Sequence, residues 1–163
     1  MDAFSASLMA DKREIVFAPT VYKFQTFAQM AEEFKLGERD VVLTNEFIYT
    51  PFMKDLGLKC NYVFQEKFGA GEPSEAMIQT MYDAIPYDSY DRVIAVGGGA
   101  IMDLCKLLGC KRPDTVHNLY FKRFPVQHEK DVIAIPTTCG TGSECTNISV
   151  AIVKDEKNGV LTG

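Results

Sequence analysis

Residues 93–103 of this chain read Val93-Ile94-Ala95-Val96-Gly97-Gly98-Gly99-Ala100-Ile101-Met102-Asp103. The apolar run indicates a strand buried on both faces of a parallel sheet, and the three glycines predict a tight turn into a helix. A turn without Cβ atoms lets phosphate oxygens approach the backbone, and the first N–H groups of a helix attract negative charge. The stretch predicts a phosphate-binding turn, with a purely structural turn as the alternative.

Two common nucleotide motifs do not describe this turn. The Gly-x-Gly-x-x-Gly fingerprint would need its third glycine at position 102, which is Met102. A Walker loop would need a Gly-Lys-Ser/Thr sequence after the glycines, and none is present there. Any phosphate site here is therefore of another kind.

A second loop comes after the next predicted strand and reads Ile135-Pro136-Thr137-Thr138-Cys139-Gly140-Thr141-Gly142-Ser143-Glu144-Cys145-Thr146. Within it, residues 137–146 hold five hydroxyl side chains and two glycines. Because the carboxyl ends of parallel strands meet at one edge of a sheet, and ligands of open α/β sheets bind there, both loops should face one crevice. Two such loops favour one shared nucleotide.

The rest of the chain alternates predicted strands and helices. The apolar runs predict strands at 40–44, 61–64, 92–96 and 131–135, and apolar spacing predicts helices near 24–34, 51–56, 73–85 and 100–108. Residues 112–130 form a long predicted connection, and a hairpin comes after it, with a strand at 150–153, a turn at 154–159 and a second strand that has barely begun. This order predicts an α/β fold, a Rossmann-like parallel sheet with helices on both faces.

Composition sets the broad class. A chain of 163 residues, 47% hydrophobic and 24% charged, is typical of one globular domain. We expect residues 1–12 to be a poorly ordered N-terminal extension and residues 13–163 to be a nucleotide-binding domain. A net charge of -5 with scattered Lys and Arg argues against nucleic acid and anionic membranes. The chain lacks an apolar run of membrane length and a secretory start, which predicts the cytoplasm. Its five cysteines, none in a Cys-x-x-Cys pair, are expected to be free and mostly buried.

The paired motifs resemble a known family. Gly97-Gly98-Gly99 with Asp103 and Lys106, followed by Pro136-Thr137-Thr138-x-Gly140-Thr141-Gly142-Ser143-Glu144-x-Thr146, is similar to the amino-terminal domain of iron-containing alcohol dehydrogenases, which share the dehydroquinate synthase-like fold. The resemblance runs from about residue 21 to the end. It implies NAD, with NADP not excluded, a small-molecule alcohol or aldehyde substrate, and Fe²⁺ or Zn²⁺ in a full-length homodimer or higher homo-oligomer.

The resemblance also implies where the metal and cofactor bind. The family's metal ligands, an aspartate and several histidines, would lie beyond Gly163, so we expect no metal ligand and no catalytic residue in this fragment, and no activity from it alone. Gly98, Gly99 and Ala100 would meet the cofactor pyrophosphate. The full set of implied cofactor-binding residues is Asn45, Gly97, Gly98, Gly99, Ala100, Thr137, Thr138, Thr141, Ser143, Thr146, Val150 and Lys157.

Two of these positions depart from the family pattern. Ala100 stands where the family usually has a serine, so a hydroxyl donor is lost. Asn45 stands where many members carry an aspartate that binds the ribose 2′-hydroxyl and repels a 2′-phosphate. Asparagine can hydrogen-bond but cannot repel, so the choice between NAD and NADP stays open, with Glu46 as a candidate substitute carboxylate.

Several chemically capable residues have a simpler interpretation. Asp103 and Lys106, three apart on one predicted helix, fit an ion pair at least as well as a cofactor contact. His117 and His128 have no metal-ligand spacing, and the resemblance gives Cys139 and Cys145 no catalytic role.

The expected reaction comes from the resemblance within the family. Residues 43–47, 63–67 and 138–144 are most similar to members that act on 4-hydroxybutyrate, which implies its oxidation to succinate semialdehyde. The alternatives are another member of the family, of the glycerol, butanol or lactaldehyde type, or a non-catalytic nucleotide-binding module.

Overall fold

The computed structural model describes residues 19–121 and 123–162. The predicted N-terminal extension, residues 1–12, lies outside the described residues. The helices are α1 (Phe27–Glu33), α2 (Glu46–Phe52), α3 (Glu75–Ala84), α4 (Gly99–Gly109) and α5 (Val116–Tyr120). The strands are β1 (Asp40–Thr44), β2 (Asn61–Phe64), β3 (Arg92–Gly97), β4 (Asp131–Pro136), β5 (Ile148–Val153) and β6 (Glu156–Leu161).

The first four strands form one parallel sheet in the order β2-β1-β3-β4. The chain leaves β1 toward β2 on one side and later returns to β3 on the other side. The order therefore reverses between β1 and β3, and the crevice outside the carboxyl ends of two such strands is where open α/β sheets bind ligands. Thr44 joins these two ends, because its buried hydroxyl donates to the Val96 carbonyl at 2.9 Å.

Alternating residues of the central strands face two different cores. Leu43 and Ala95 pack with α3 and α4, whereas Val42 and Ile94 pack with α1 and α2. Both faces of the sheet are thus covered, which explains why its strands are continuous apolar runs. The predicted α/β fold with helices on both faces is confirmed.

The second predicted helix was placed too late. It was expected at 51–56, but α2 begins at Glu46, and Pro51 lies inside it, one residue before its end. Asn45 has extended backbone and begins the helix, since its carbonyl accepts the amides of Ile48 and Tyr49. The second half of the predicted range is instead a short 3-10 turn at Lys54–Leu56.

The end of the chain also differs from the prediction. The turn of the hairpin is only Lys154 and Asp155, both with positive φ, of 53° and 62°, which is the geometry of a tight two-residue hairpin. The second strand, β6, is six residues long rather than barely begun. The connection 112–130 likewise contains the short helix α5.

Candidate functional site

The glycine turn, residues 97–99, joins β3 to α4. Gly97 ends the strand, and Gly98 has extended backbone before the helix begins at Gly99, so no side chain caps the helix. The amides of the first turn of any helix lack intrahelical acceptors. The turn thus presents free N–H groups at the carboxyl end of β3.

The hydroxyl loop, residues 137–146, packs directly on the glycine turn. The Thr137 amide donates to the Gly97 carbonyl at 3.0 Å. A Cβ atom built on Gly99 would lie only 2.7 Å from Thr141 Oγ1, and one on Gly98 would lie 3.4 Å from Thr138 Oγ1. The two loops meet so closely that Gly99 has no room for a side chain.

One broad cleft collects half of the predicted cofactor-binding residues. Those that line it are Asn45, Gly98, Gly99, Ala100, Thr137 and Thr138. Gly97 is buried beneath the turn, and Thr141 touches Gly99 from the loop. Glu144 and Cys145 complete the wall on the loop side. One end of the cleft lies where the strand order reverses, and the cleft continues along the sheet to Arg92 and Asp131 at the amino ends of β3 and β4. The contact of the predicted residues with a cofactor stays a prediction.

Ser143 and Thr146 are engaged within the protein. Ser143 is buried, and its hydroxyl donates to Asp103 Oδ1 at 2.6 Å and accepts from Lys106 Nζ at 2.6 Å. The same ammonium donates to Thr146 Oγ1 at 3.2 Å and to the Ile148 carbonyl at 2.7 Å. These two hydroxyls therefore fix the loop to α4, and neither residue lines the cleft.

Asp103 and Lys106 form a largely buried ion pair, 3.3 Å between Oδ1 and Nζ. Burial lowers the pKa of Lys106, and the charge and hydrogen bond of Asp103 oppose that effect. The interpretation of these two residues as an ion pair is confirmed.

Val150 and Lys157 lie on the hairpin and do not line the cleft. Val150 on β5 donates its amide to Asp103 Oδ2 at 3.2 Å. Lys157 on β6 forms an exposed ion pair with Glu72, 2.6 Å between Nζ and Oε1. Val150 thus shares the Asp103 carboxylate with Ser143, and Lys157 pairs with the residue that follows Gly71 of the cleft, but neither residue lines the cleft itself.

A carboxylate that the sequence alone did not reveal stands beside Asn45. Glu66 lies in the 3-10 turn Gln65–Lys67 after β2, and its Oε1 accepts from Asn45 Nδ2 at 3.0 Å and from the Glu46 amide at 3.1 Å. Glu46, the candidate substitute carboxylate, contributes its backbone N–H to this contact. The available signal was that Glu66 comes just after the end of β2, as Asn45 comes just after the end of β1.

The histidines and cysteines do not assemble a metal centre. His117 packs on Phe121 with 4.5 Å between ring centroids, and His128 is exposed. In residues 19–121 and 123–162, no group of three His, Cys, Asp or Glu side chains is placed to hold a metal ion. All five cysteines are free; those that are buried are Cys60, Cys105 and Cys110, and those that are exposed are Cys139 and Cys145. None of the described helices is both long enough and apolar enough to cross a bilayer.

Comparison with known sequences matches this chain to one family. The family model of iron-containing alcohol dehydrogenases matches residues 18–162. The 4-hydroxybutyrate dehydrogenase of Clostridium kluyveri is 47% identical over 137 residues, which are 84% of this chain and 37% of that enzyme. A probable alcohol dehydrogenase of Escherichia coli is 37% identical over 84 residues, 50% of this chain and 21% of the relative. The chain thus spans well under half the length of these relatives.

Solved structures share the fold of this chain, and one of them carries the same family description. An iron-containing alcohol dehydrogenase of Thermotoga maritima matches with a TM-score of 0.66 and 25% identity, over 84% of this chain and 40% of that chain. The sulfoacetaldehyde reductase of Bifidobacterium kashiwanohense, solved in complex with NAD+, has a TM-score of 0.66 and 22% identity, over 83% of this chain and 38% of that chain. At that identity the second match speaks for the fold alone.

Proposed function

This chain belongs to the iron-containing alcohol dehydrogenase family, and we propose that it forms the cofactor-binding half of an enzyme that oxidises 4-hydroxybutyrate to succinate semialdehyde with NAD or NADP. The observation that carries the proposal is the packing of the hydroxyl loop on the glycine turn, beside the point between β1 and β3 where the strand order reverses. Ligands of open α/β sheets bind at such a place.

The residues of this cleft fit a dinucleotide. Gly98 and Gly99 line the cleft, and the N–H groups at the start of α4 favour the negative charge of a pyrophosphate there. The missing side chain of Gly99 makes room for Thr141, which brings the hydroxyl loop next to those N–H groups. The hydroxyls of Thr137 and Thr138 stand on the facing wall and can bind the sugars and amide of the cofactor. When bound, the nicotinamide accepts the hydride of the alcohol. The protein's part is to bind and orient that group.

The residues of this chain do not fit the metal that the family name implies. The part of the chain that the structure describes holds no cluster of ligating side chains, so no step of the reaction is assigned to a metal held here. We place the ligands for Fe²⁺ or Zn²⁺ in the portion of the longer relatives that this chain does not cover. The chain alone is therefore expected to bind cofactor without turning over an alcohol.

The substrate rests on sequence similarity. The relative that is 47% identical is a 4-hydroxybutyrate dehydrogenase, which favours a hydroxy acid over glycerol, butanol or lactaldehyde. In a full-length enzyme carrying this sequence, we expect 4-hydroxybutyrate to give a higher kcat/KM than butanol, which is neutral and of the same chain length. A higher kcat/KM for butanol would move the assignment to another member of the family. We also propose a homodimer or higher homo-oligomer for that enzyme.

A binding titration tests the cofactor site directly. The chain has no Trp, so the fluorescence of NADH or NADPH can be followed without energy transfer from tryptophan. We expect a saturable change with at least one reduced cofactor and no turnover of 4-hydroxybutyrate after addition of Fe²⁺ or Zn²⁺, with the Clostridium kluyveri enzyme as the positive control. Absence of saturable binding of both cofactors would contradict the proposed cofactor site. Turnover of 4-hydroxybutyrate by this chain alone would contradict the proposal that it is only the cofactor-binding half of the enzyme.

A further inference from the structure

Asn45 and Glu66 form a polar pair at the ends of two neighbouring strands. β1 lies between β2 and β3, so Asn45 stands between the glycine turn on one side and Glu66 on the other. Asn45 lines the cleft together with Gly98 and Gly99, and its side-chain amide is bound to Glu66 Oε1. Glu66 itself stands just outside the lining of the cleft, next to Gln65, which lines it, so the pair continues the polar surface from Asn45 toward β2.

Glu66 has one carboxylate oxygen occupied and one available. Oε1 accepts from both Asn45 Nδ2 and the Glu46 amide. Among the described residues, none donates a hydrogen bond to Oε2, and the Glu66 side chain is exposed. Two N–H donors hold the carboxylate in place and leave an anionic acceptor facing solvent. Such an arrangement accepts a hydroxyl well and opposes a second anion.

We propose that Glu66 is the carboxylate that selects NAD over NADP in this chain, by accepting a hydroxyl of the adenosine ribose and repelling a 2′-phosphate. The inference rests on the proposed function, because it needs a dinucleotide in the cleft. Both riboses of the cofactor are joined directly to the pyrophosphate, so a pyrophosphate at the glycine turn brings one ribose toward the end of β1 and the other toward the end of β4. We assign the adenosine ribose to the β1 side, where Asn45 and Glu66 lie. Asn45 supplies a neutral amide, and Glu66 supplies the negative charge that asparagine lacks.

A second carboxylate near Glu66 provides a matched control for a test of the charge of Glu66. Lys67 is the nearest residue of opposite sign in sequence, and its ammonium lies 5.6 Å from the centre of the Phe64 ring. Glu46 is a second exposed carboxylate at the start of α2, so Glu46→Gln changes the net charge of this region by the same amount as Glu66→Gln. Glu66→Gln keeps an oxygen that can accept from Asn45 and from the Glu46 amide. A loss of cofactor selection without a loss of stability would then separate the charge of Glu66 from its structural contact.

The experiment is a titration of the chain and its variants with NADH and NADPH at low ionic strength. We expect the chain to bind NADH more tightly than NADPH, and Glu66→Gln to reduce that preference by about tenfold, the effect of one charge-assisted hydrogen bond or one close like charge. Glu46→Gln should leave the preference unchanged. Adding Asn45→Asp to Glu66→Gln should restore it, because the charge returns at the neighbouring strand end.

The remaining outcomes contradict either the role of Glu66 or the cofactor site, and the titration distinguishes the two. An unchanged preference in Glu66→Gln, an equal change in Glu46→Gln, or tighter binding of NADPH by the unmodified chain would overturn the role of Glu66 while leaving the cofactor site intact. Absence of binding of both cofactors would overturn the proposed function itself. A urea unfolding midpoint of Glu66→Gln close to that of the unmodified chain shows that selection was measured on a folded protein.

Discussion

Replacing Gly99 by alanine tests the close packing of the two loops. A Cβ atom there would lie 2.7 Å from Thr141 Oγ1 and 3.0 Å from Thr141 Cγ2. A rotation of Thr141 about χ1 would turn its Hβ atom toward Gly99, but it would also remove Oγ1 from the Ser143 amide, so either this hydrogen bond breaks or the loop moves. Overpacking of this kind costs about 1–3 kcal/mol, and the alanine recovers about 0.4–1 kcal/mol by restricting the unfolded chain. The net loss in unfolding free energy should be about 1–2 kcal/mol.

A double-mutant cycle in urea isolates that clash. Thr141→Ala removes both offending atoms and the hydrogen bond from the Ser143 amide to Thr141 Oγ1, so alone it should cost about 1 kcal/mol. In Gly99→Ala/Thr141→Ala the clash is gone, and the double variant should be more stable than the sum of the singles predicts, by about 1–2 kcal/mol. Gly37→Ala is the control, because nothing lies within 4 Å of its Cβ position. Strict additivity of the two changes would refute the contact between the loops.

Two further predictions concern buried charges and thiols. Lys106→Met should lower the unfolding free energy by about 3–5 kcal/mol, because it leaves Asp103 and Ser143 without their buried partner. The control is Lys157→Met, which breaks an exposed pair and should change the unfolding free energy by less than about 0.5 kcal/mol. Equal effects of the two substitutions in urea unfolding would contradict the buried network. Burial raises the pKa of the Cys110 thiol to about 11 from an ordinary 9.0. The unfolded chain therefore loses this proton at a lower pH than the folded chain, and the unfolding free energy should fall as pH rises from about 9 to about 11. Cys110→Ser should flatten that fall, and an unchanged pH profile would argue against a buried thiol.

The elements that the sequence predicts best are those whose signal is local. The runs at β1, β2, β3 and β4 are apolar because helices cover both faces of the sheet, and each predicted strand matches the structure to within one residue at either end. The helix α3 was predicted equally well, because both of its signals are local. Its apolar residues share one face, and the Ser74 hydroxyl caps it by accepting a hydrogen bond from the Met77 amide.

The errors arise where distant or atypical contacts determine the backbone. The start of α2 is stabilised by Glu66, which lies 20 residues beyond Glu46 in the chain, so no local pattern marks it. The hairpin turn is Lys154-Asp155, which lacks the glycine that usually marks a tight turn, while Gly159 resembled a turn residue and instead pairs with Val150 in the strand. Sequence context favoured the wrong position in both cases.

In the candidate site, too, the features with a local sequence signal were predicted and those that depend on distant contacts were not. Residue type identified the glycine turn and the hydroxyl loop, and their contact is a consequence of the parallel sheet. Residue type cannot tell which hydroxyls point outward, so Ser143 was grouped with Thr137 although it is bound to Lys106 in the interior. Glu66 was missed because its significance comes from the pairing of β2 with β1.

The ammonium of Lys106 ties α4, the hydroxyl loop and the first residue of β5 to one atom. Release of Ser143 would leave buried polar groups unsatisfied, whereas Thr146 and Ile148 are exposed, so water can replace the ammonium at their oxygens. The segment from Ser143 to Ile148 should therefore loosen first at its exposed end and stay attached to α4 at Ser143, next to Glu144 in the wall of the cleft.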